Sequence, residues 1–360
     1  MSNIVTKSMN GTKLTFIITM LVALSFGCSE PYSPSLKSVR QVQESDFTAI
    51  SLPVPESVNL NTPGVISLKF CDSLLLATAS GDKILHIYDR STWKNSGSFI
   101  SKGNGPSELL YSPFCSAFCL DRENGGTVIR FADFMTKKIL RIDLTQTLRQ
   151  KDLVLEQIGK TVDGQQVLTS VIIDDNDYFA KRLSAKSDSQ ERFYMKDGQE
   201  FISEDMVRLN SFRLNAPDRG FNFNLFSAIL GYSRDRDLIV EAMTLLNQIH
   251  VYPLSGQSEG FTIANGKLRD IHYLERNPIA STNGYCALSV HKNFFSALYQ
   301  KDRKNNQLQF FSWDGNPLWS INLDAGISSY DIDPENGILI TLNSEDETVN
   351  SYYIPEIRIP

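Results

Sequence analysis

From residue 46 onward, short apolar runs alternate with short polar turns, and the same order of runs comes round six times. Clusters of Asp, Asn, Gly or Ser lead at once into β-branched or aromatic runs at 71–78, 121–131, 174–183, 233–243, 291–299 and 333–342. Each is preceded by another strand-like run, such as VISLKF or YCALSV. Each is followed by a third, such as ILHIYD, KILRID or QIHVYP. Runs of this length bounded by turn residues predict strands, and no capped 3.6-residue period extends beyond about two turns.

Six copies of strand–turn–strand–loop–strand, spaced about 50 residues apart, predict an all-β chain folded as a six-bladed β-propeller. The reason is physical: one small sheet cannot bury both of its faces, and radial stacking covers them. A pair of β-sandwiches would not impose one uniform spacing. The sixth repeat reaches Pro360 at its third strand. Its missing fourth strand is expected from the N-terminal segment 46–54, DFTAISLPV.

The N-terminus carries a different signal. Lys7 and Lys13 precede the apolar run Leu14–Leu24, which is too short to span a bilayer but long enough for the core of a signal peptide. Ser25-Phe26-Gly27 then leads into Cys28. This order resembles the lipobox of bacterial lipoproteins, which implies cleavage before Cys28 and acylation (palmitate among the chains) of that residue; the plainer reading is a secretory signal cut elsewhere. Met9 is a second candidate initiator. Ser29, rather than aspartate, favours outer-membrane sorting. The polar stretch 29–46 reads as a tether. The expected organisation is a signal peptide (1–27), a lipidated tether (28–45) and the propeller (46–360).

Between the first and second repeats lies SKGNGPSEL, 101–109. With Gly103, Gly105, Pro106 and Glu108 in place, it resembles the Gly-x-Gly-Pro-x-Glu signature of TolB-like six-bladed propeller lipoproteins of Bacteroidetes; Ser107 departs from the glycine frequent there. The resemblance implies the fold and a cell-envelope location. It implies no reaction.

Composition narrows the function by exclusion. Thirty-five basic against 41 acidic residues give a net charge of -6, so nothing electrostatic recommends nucleic acid as a partner. The pattern of Cys71, Cys115, Cys119 and Cys286 lacks the spacing of a zinc site. All four fall on expected innermost strands, as buried free thiols. His86 and His250 share a register on third strands, away from the channel. The acid clusters Asp174–Asp177 and Asp331–Asp333 sit where turns are expected. Neither metal nor cofactor is called for.

What remains is a binding surface. Loops leading into the innermost strands, and those joining second to third strands, crowd one face of a propeller. They carry Asp82, Lys83, Asn104, Glu108, Arg219, Phe221, Asn222, Phe223, Arg276 and Arg303. Asn104, Glu108, Arg219, Phe221, Asn222, Phe223 and Arg276 are the candidate ligand contacts. The expected protein is a monomeric, non-catalytic binding or scaffold lipoprotein. It would be held to the membrane by its N-terminal lipid and recognise an envelope protein, peptide or glycan. The alternative is a propeller enzyme acting on a glycan or lactone.

Overall fold

The computed structural model describes residues 32–162, 166–184, 189–214, 224–256, 258–277, 283–302 and 304–358. Six sheets follow one another along the chain, each built on antiparallel strands, and three of them gain a parallel strand at the outer edge. Their innermost strands are Val65–Cys71, Cys119–Glu123, Val167–Ile172, Ala228–Ser233, Tyr285–Val290 and Ile327–Asp333. These belong to blades one to six and frame the channel. Each of the six polar turns read from the sequence joins the first strand of a blade to its second. Blade one pairs Cys71 with Leu74, and blade six pairs Asp333 with Ile338.

The core consists of layers between neighbouring blades. Ile87 and Leu76 of blade one pack with Ile129 and Phe131 of blade two. Val240 and Val251 of blade four pack with Phe295 and Phe311 of blade five. Burying such side chains drives folding at about 25 cal/mol per Å² of apolar surface. Between blades three and four, beside an apolar layer that includes Phe179, Tyr194, Leu230 and Ile239, three charged side chains, Lys181, Arg192 and Glu241, are also fully buried.

Closure of the ring differs from expectation in one respect. The fourth strand of blade six does come from the N-terminus, but it is Glu56–Val58, with Val58 opposite Val349. The segment 46–54 contributes Thr48–Ile50, which runs parallel to the outer strand of blade five. The stretch read as a tether is also engaged from Ser33 on. Leu36 is fully buried, and Ser38–Val42 runs parallel to the outer strand of blade four. The N-terminal segment is therefore a strap across three blades. Its polar composition concealed this, because an outer strand needs only backbone pairing and a few anchoring side chains such as Leu36, Val42 and Phe47.

Cys71, Cys119 and Cys286 lie on innermost strands as expected. Cys115 does not. It opens a single 3-10 turn, Cys115–Ala117, whose backbone N–H donates to Ser67 Oγ at 2.7 Å. All four are free thiols, and Cys286 is exposed.

Candidate functional site

Each innermost strand starts at one face of the disc, here the top, and ends at the other. A cavity of about 650 Å³ opens at the top and one of about 530 Å³ at the bottom. The two share Lys69, Ser116, Leu230, Leu288 and Asp331, which form the waist of the channel.

The bottom mouth is charged, and its charges are largely spent on one another. Arg234 donates to Asp121 at 2.5 Å and to the Ile173 carbonyl at 2.7 Å, joining blades four, two and three. Arg130 is nearly buried and binds Asp121, Glu123 and Asp175. Arg90 of blade one pairs with Asp333 of blade six. Burial alone pushes the Asp121 carboxyl up, yet the Arg122 N–H and the Arg234 and Arg130 charges hold it below the usual range. Such pairs clamp neighbouring blades.

The top mouth is apolar with hydroxyls set into it. Phe114, Phe134, Leu168, Ile229 and Ala287 line its walls, interleaved with Ser67, Ser112, Ser170 and Ser329. Ser112 Oγ donates to the Ala79 carbonyl at 2.5 Å, and Ser329 Oγ accepts the Leu68 N–H at 3.1 Å. Phe114 and Tyr111 are 62% and 67% exposed on the rim, and a shallower hollow lies between Tyr111, Pro113, Phe134 and Met135.

Two charges meet at the waist. The Asp331 carboxylate is committed, accepting the Phe70 N–H at 2.7 Å and the Ser289 hydroxyl at 2.5 Å. It thereby ties blade six to blades one and five, a role its turn-like sequence context did not reveal. Among the described residues, no hydrogen bond or ion pair engages the Lys69 ammonium. Burial pushes the Cys115 thiol up to about 11 and His291 down to about 4; a smaller effect of the Lys69 charge acts on both.

The sequence-derived candidates are placed as follows. Asn104 and Glu108 lie in the turn at the outer edge of blade one, outside the channel walls. Glu108 is folded onto its own loop, accepting the Gly105 N–H at 2.8 Å. A Cβ at Gly103 would fall 2.1 Å from Glu108 Oε2, so the glycine is there for the close approach of that carboxylate. Arg276 is exposed at the end of the short helix Ile271–Arg276, on the top face. Arg219, Phe221, Asn222, Phe223, Arg303 and Cys28 lie outside the described residues.

His86 and His250 occupy third strands and bond Ser98 at 2.9 Å and Thr262 at 3.0 Å. Among the described residues, no group of three or more His, Cys, Asp or Glu is arranged around a common point for a metal ion. None of the helices there is long and apolar enough to cross a membrane.

No protein-family profile and no curated protein sequence matches the chain. Solved structures do. Regucalcin of Agrobacterium tumefaciens, described as a calcium-binding protein, is 11% identical over 85% of this chain and 95% of its own, with a TM-score of 0.48. An exported protein of Bacteroides fragilis is 11% identical over 85% and 98%, with a TM-score of 0.47. The Swd1 β-propeller domain of Myceliophteria thermophila is 8% identical over 84% and 100%, with a TM-score of 0.44. At these identities the likeness is one of fold. The chain is a six-bladed β-propeller.

Proposed function

We propose that this propeller is a lipid-anchored binding protein of the TolB-like type, which takes its ligand or partner at the top mouth of the channel. The observation that carries the reading is the character of that mouth. It is concave, about 650 Å³ in volume and apolar-walled, with hydroxyls and one uncommitted ammonium at its floor. Concave apolar sites with a few convergent polar groups are where small ligands and peptide anchors bind. Among the described residues, Asp331 is the one carboxylate in its lining, and it is already held by two hydrogen bonds.

The anchor rests on the short apolar run before Cys28 and the small residue preceding it. Acylation there at more than one point gives stable attachment, and Ser29 favours the outer membrane.

The test is ligand capture on glycan and peptide arrays by the parent and by a Tyr111→Ser/Phe114→Ser variant. Losing an aromatic anchor costs about 2 kcal/mol, or about thirtyfold in affinity. Equal capture by both proteins would move the site away from the top mouth. Turnover of an arrayed glycan or of a lactone by the parent would replace this reading with the enzymatic one.

A further inference from the structure

The two faces of the disc differ in what they expose. Of the large apolar side chains left exposed among the described residues, Tyr32, Tyr111, Phe114, Met135 and Tyr273 stand at the top and Tyr353 at the bottom, while Val39 and Val54 belong to the strap, Phe201 and Ile202 to the outer edge of blade three and Val207 to the helix Glu204–Asn210. Exposures of 67%, 62% and 62% for Tyr111, Phe114 and Met135 are high for side chains of this kind. The bottom carries three Arg–carboxylate clamps, around Asp121, Asp175 and Asp333, and the top one exposed Lys–carboxylate pair, Lys301–Glu44.

The apolar groups form two stations. Tyr111, Phe114 and Met135 belong to the loops of blade two. Tyr32 and Tyr273 sit at the connection between blades four and five, across the channel. Both stations stand on the same face of the disc.

The strap decides where the chain leaves the disc. Tyr32 is pinned beside the top-face helix Ile271–Arg276, its carbonyl accepting the Ile271 N–H at 2.9 Å and its ring stacked 4.5 Å from His272. From Tyr32 back to Cys28 there are four residues, a reach of at most about 14 Å. A lipid on Cys28 therefore has no slack to leave the top side of the molecule.

We infer that the top face lies on the lipid surface, with Tyr111, Phe114 and Met135 on one side of the channel and Tyr32 and Tyr273 on the other seated at the headgroup level. The inference rests on the proposed acylation of Cys28, and it narrows the ligand of the top mouth to molecules presented at a membrane. Tyrosine and other aromatic rings are favoured at that depth, where an apolar body and a polar tip are both accommodated. With the chain leaving from the top, the bottom face is left toward solvent.

The experiment uses the full-length acylated protein in phosphatidylcholine vesicles whose acyl chains carry bromine near the headgroup. Tyr111→Trp and Tyr353→Trp each add one indole to the three native tryptophans. Quenching of the added emission in Tyr111→Trp, at least threefold stronger than in Tyr353→Trp, is the expected result. Equal quenching, or stronger quenching at Tyr353→Trp, overturns the orientation, and absence of quenching at both leaves the top face to a soluble partner. A Tyr111→Ser/Phe114→Ser/Met135→Ser variant carrying Tyr273→Trp supplies the control: its indole should lose at least half of the quenching seen with Tyr273→Trp alone, and no change overturns the seating. Ligand capture that survives when quenching fails would sink the orientation while sparing the proposed function; quenching without capture does the reverse.

Discussion

Arg192 and Glu241 form a two-point ion pair across the interface of blades three and four, Nε to Oε2 at 2.7 Å and Nη2 to Oε1 at 2.6 Å, both fully buried. Lys181 adds a second cation, donating to Glu241 Oε1 and to the Phe226 carbonyl, each at 2.5 Å. Tyr252 donates to Oε2 at 3.0 Å. One carboxylate thus serves two fully buried cations.

The surplus cation makes stability depend on alkaline pH. Burial holds the Lys181 ammonium down to about 7, against the pull of Glu241 and helped by the neighbouring Arg192 charge. Above pH 7 the unfolded chain, with an ordinary lysine, binds a proton that the folded chain releases, so stability rises with pH until about 10. Urea unfolding at pH 7.5 and 9.5 should show a gain of up to about 2 kcal/mol that Lys181→Met lacks. Parallel behaviour of the two proteins would refute the shift.

Removing the shared anion should be far worse than removing the surplus cation. Glu241→Gln leaves the buried Arg192 charge without its counter-ion and is expected to cost about 3–5 kcal/mol. Lys181→Met keeps the Arg192–Glu241 pair balanced and should be tolerated. Melting temperatures of the two variants decide it, and equal losses would mean that the lysine is integral to the pair.

The strap makes its own prediction. Leu36→Ala empties a fully buried site and is expected to cost about 2–4 kcal/mol, whereas Val39→Ala, on an exposed position of the strand beside blade four, should cost less than about 0.5 kcal/mol. Denaturant midpoints of the two variants test this, and a Leu36→Ala protein as stable as the parent would make the strap a passive tether.

The turn at the edge of blade one is built as a pair. Gly103→Ala drives a methyl into the Glu108 carboxylate and should destabilise the protein by about 1–2 kcal/mol. In a Glu108→Ala background the same change should cost clearly less, giving a coupling of at least about 0.5 kcal/mol in a double-mutant cycle. Strict additivity would show that the two residues act independently.

Acylation is checked by fractionation. Cys28→Ser should leave an uncleaved precursor or release the protein from the membrane fraction, and normal processing of the variant would remove the anchor from the proposal.

Blade count, turn positions and the strands flanking each turn were legible along the chain, because every blade repeats the same local rule: a polar turn feeding an apolar run that must be covered on both faces. An N-terminal closing strand for the sixth blade was expected as well, and the structure supplies one. Which segment closes was not legible. Glu56–Val58, Thr48–Ile50 and Ser38–Val42 carry little hydrophobic pattern, and outer strands are chosen by backbone pairing and register, which only the assembled ring supplies. Likewise the sequence showed glycine, proline and glutamate at 103–108 but not that Glu108 turns inward on its own loop. The channel is the extreme case. Lys69, Asp331 and Ser289 come from repeats one, six and five, and no local pattern marks them as neighbours. Ring closure alone brings such distant positions to one axis. It satisfies Asp331 with two donors and leaves Lys69 without an engaged partner among the described residues.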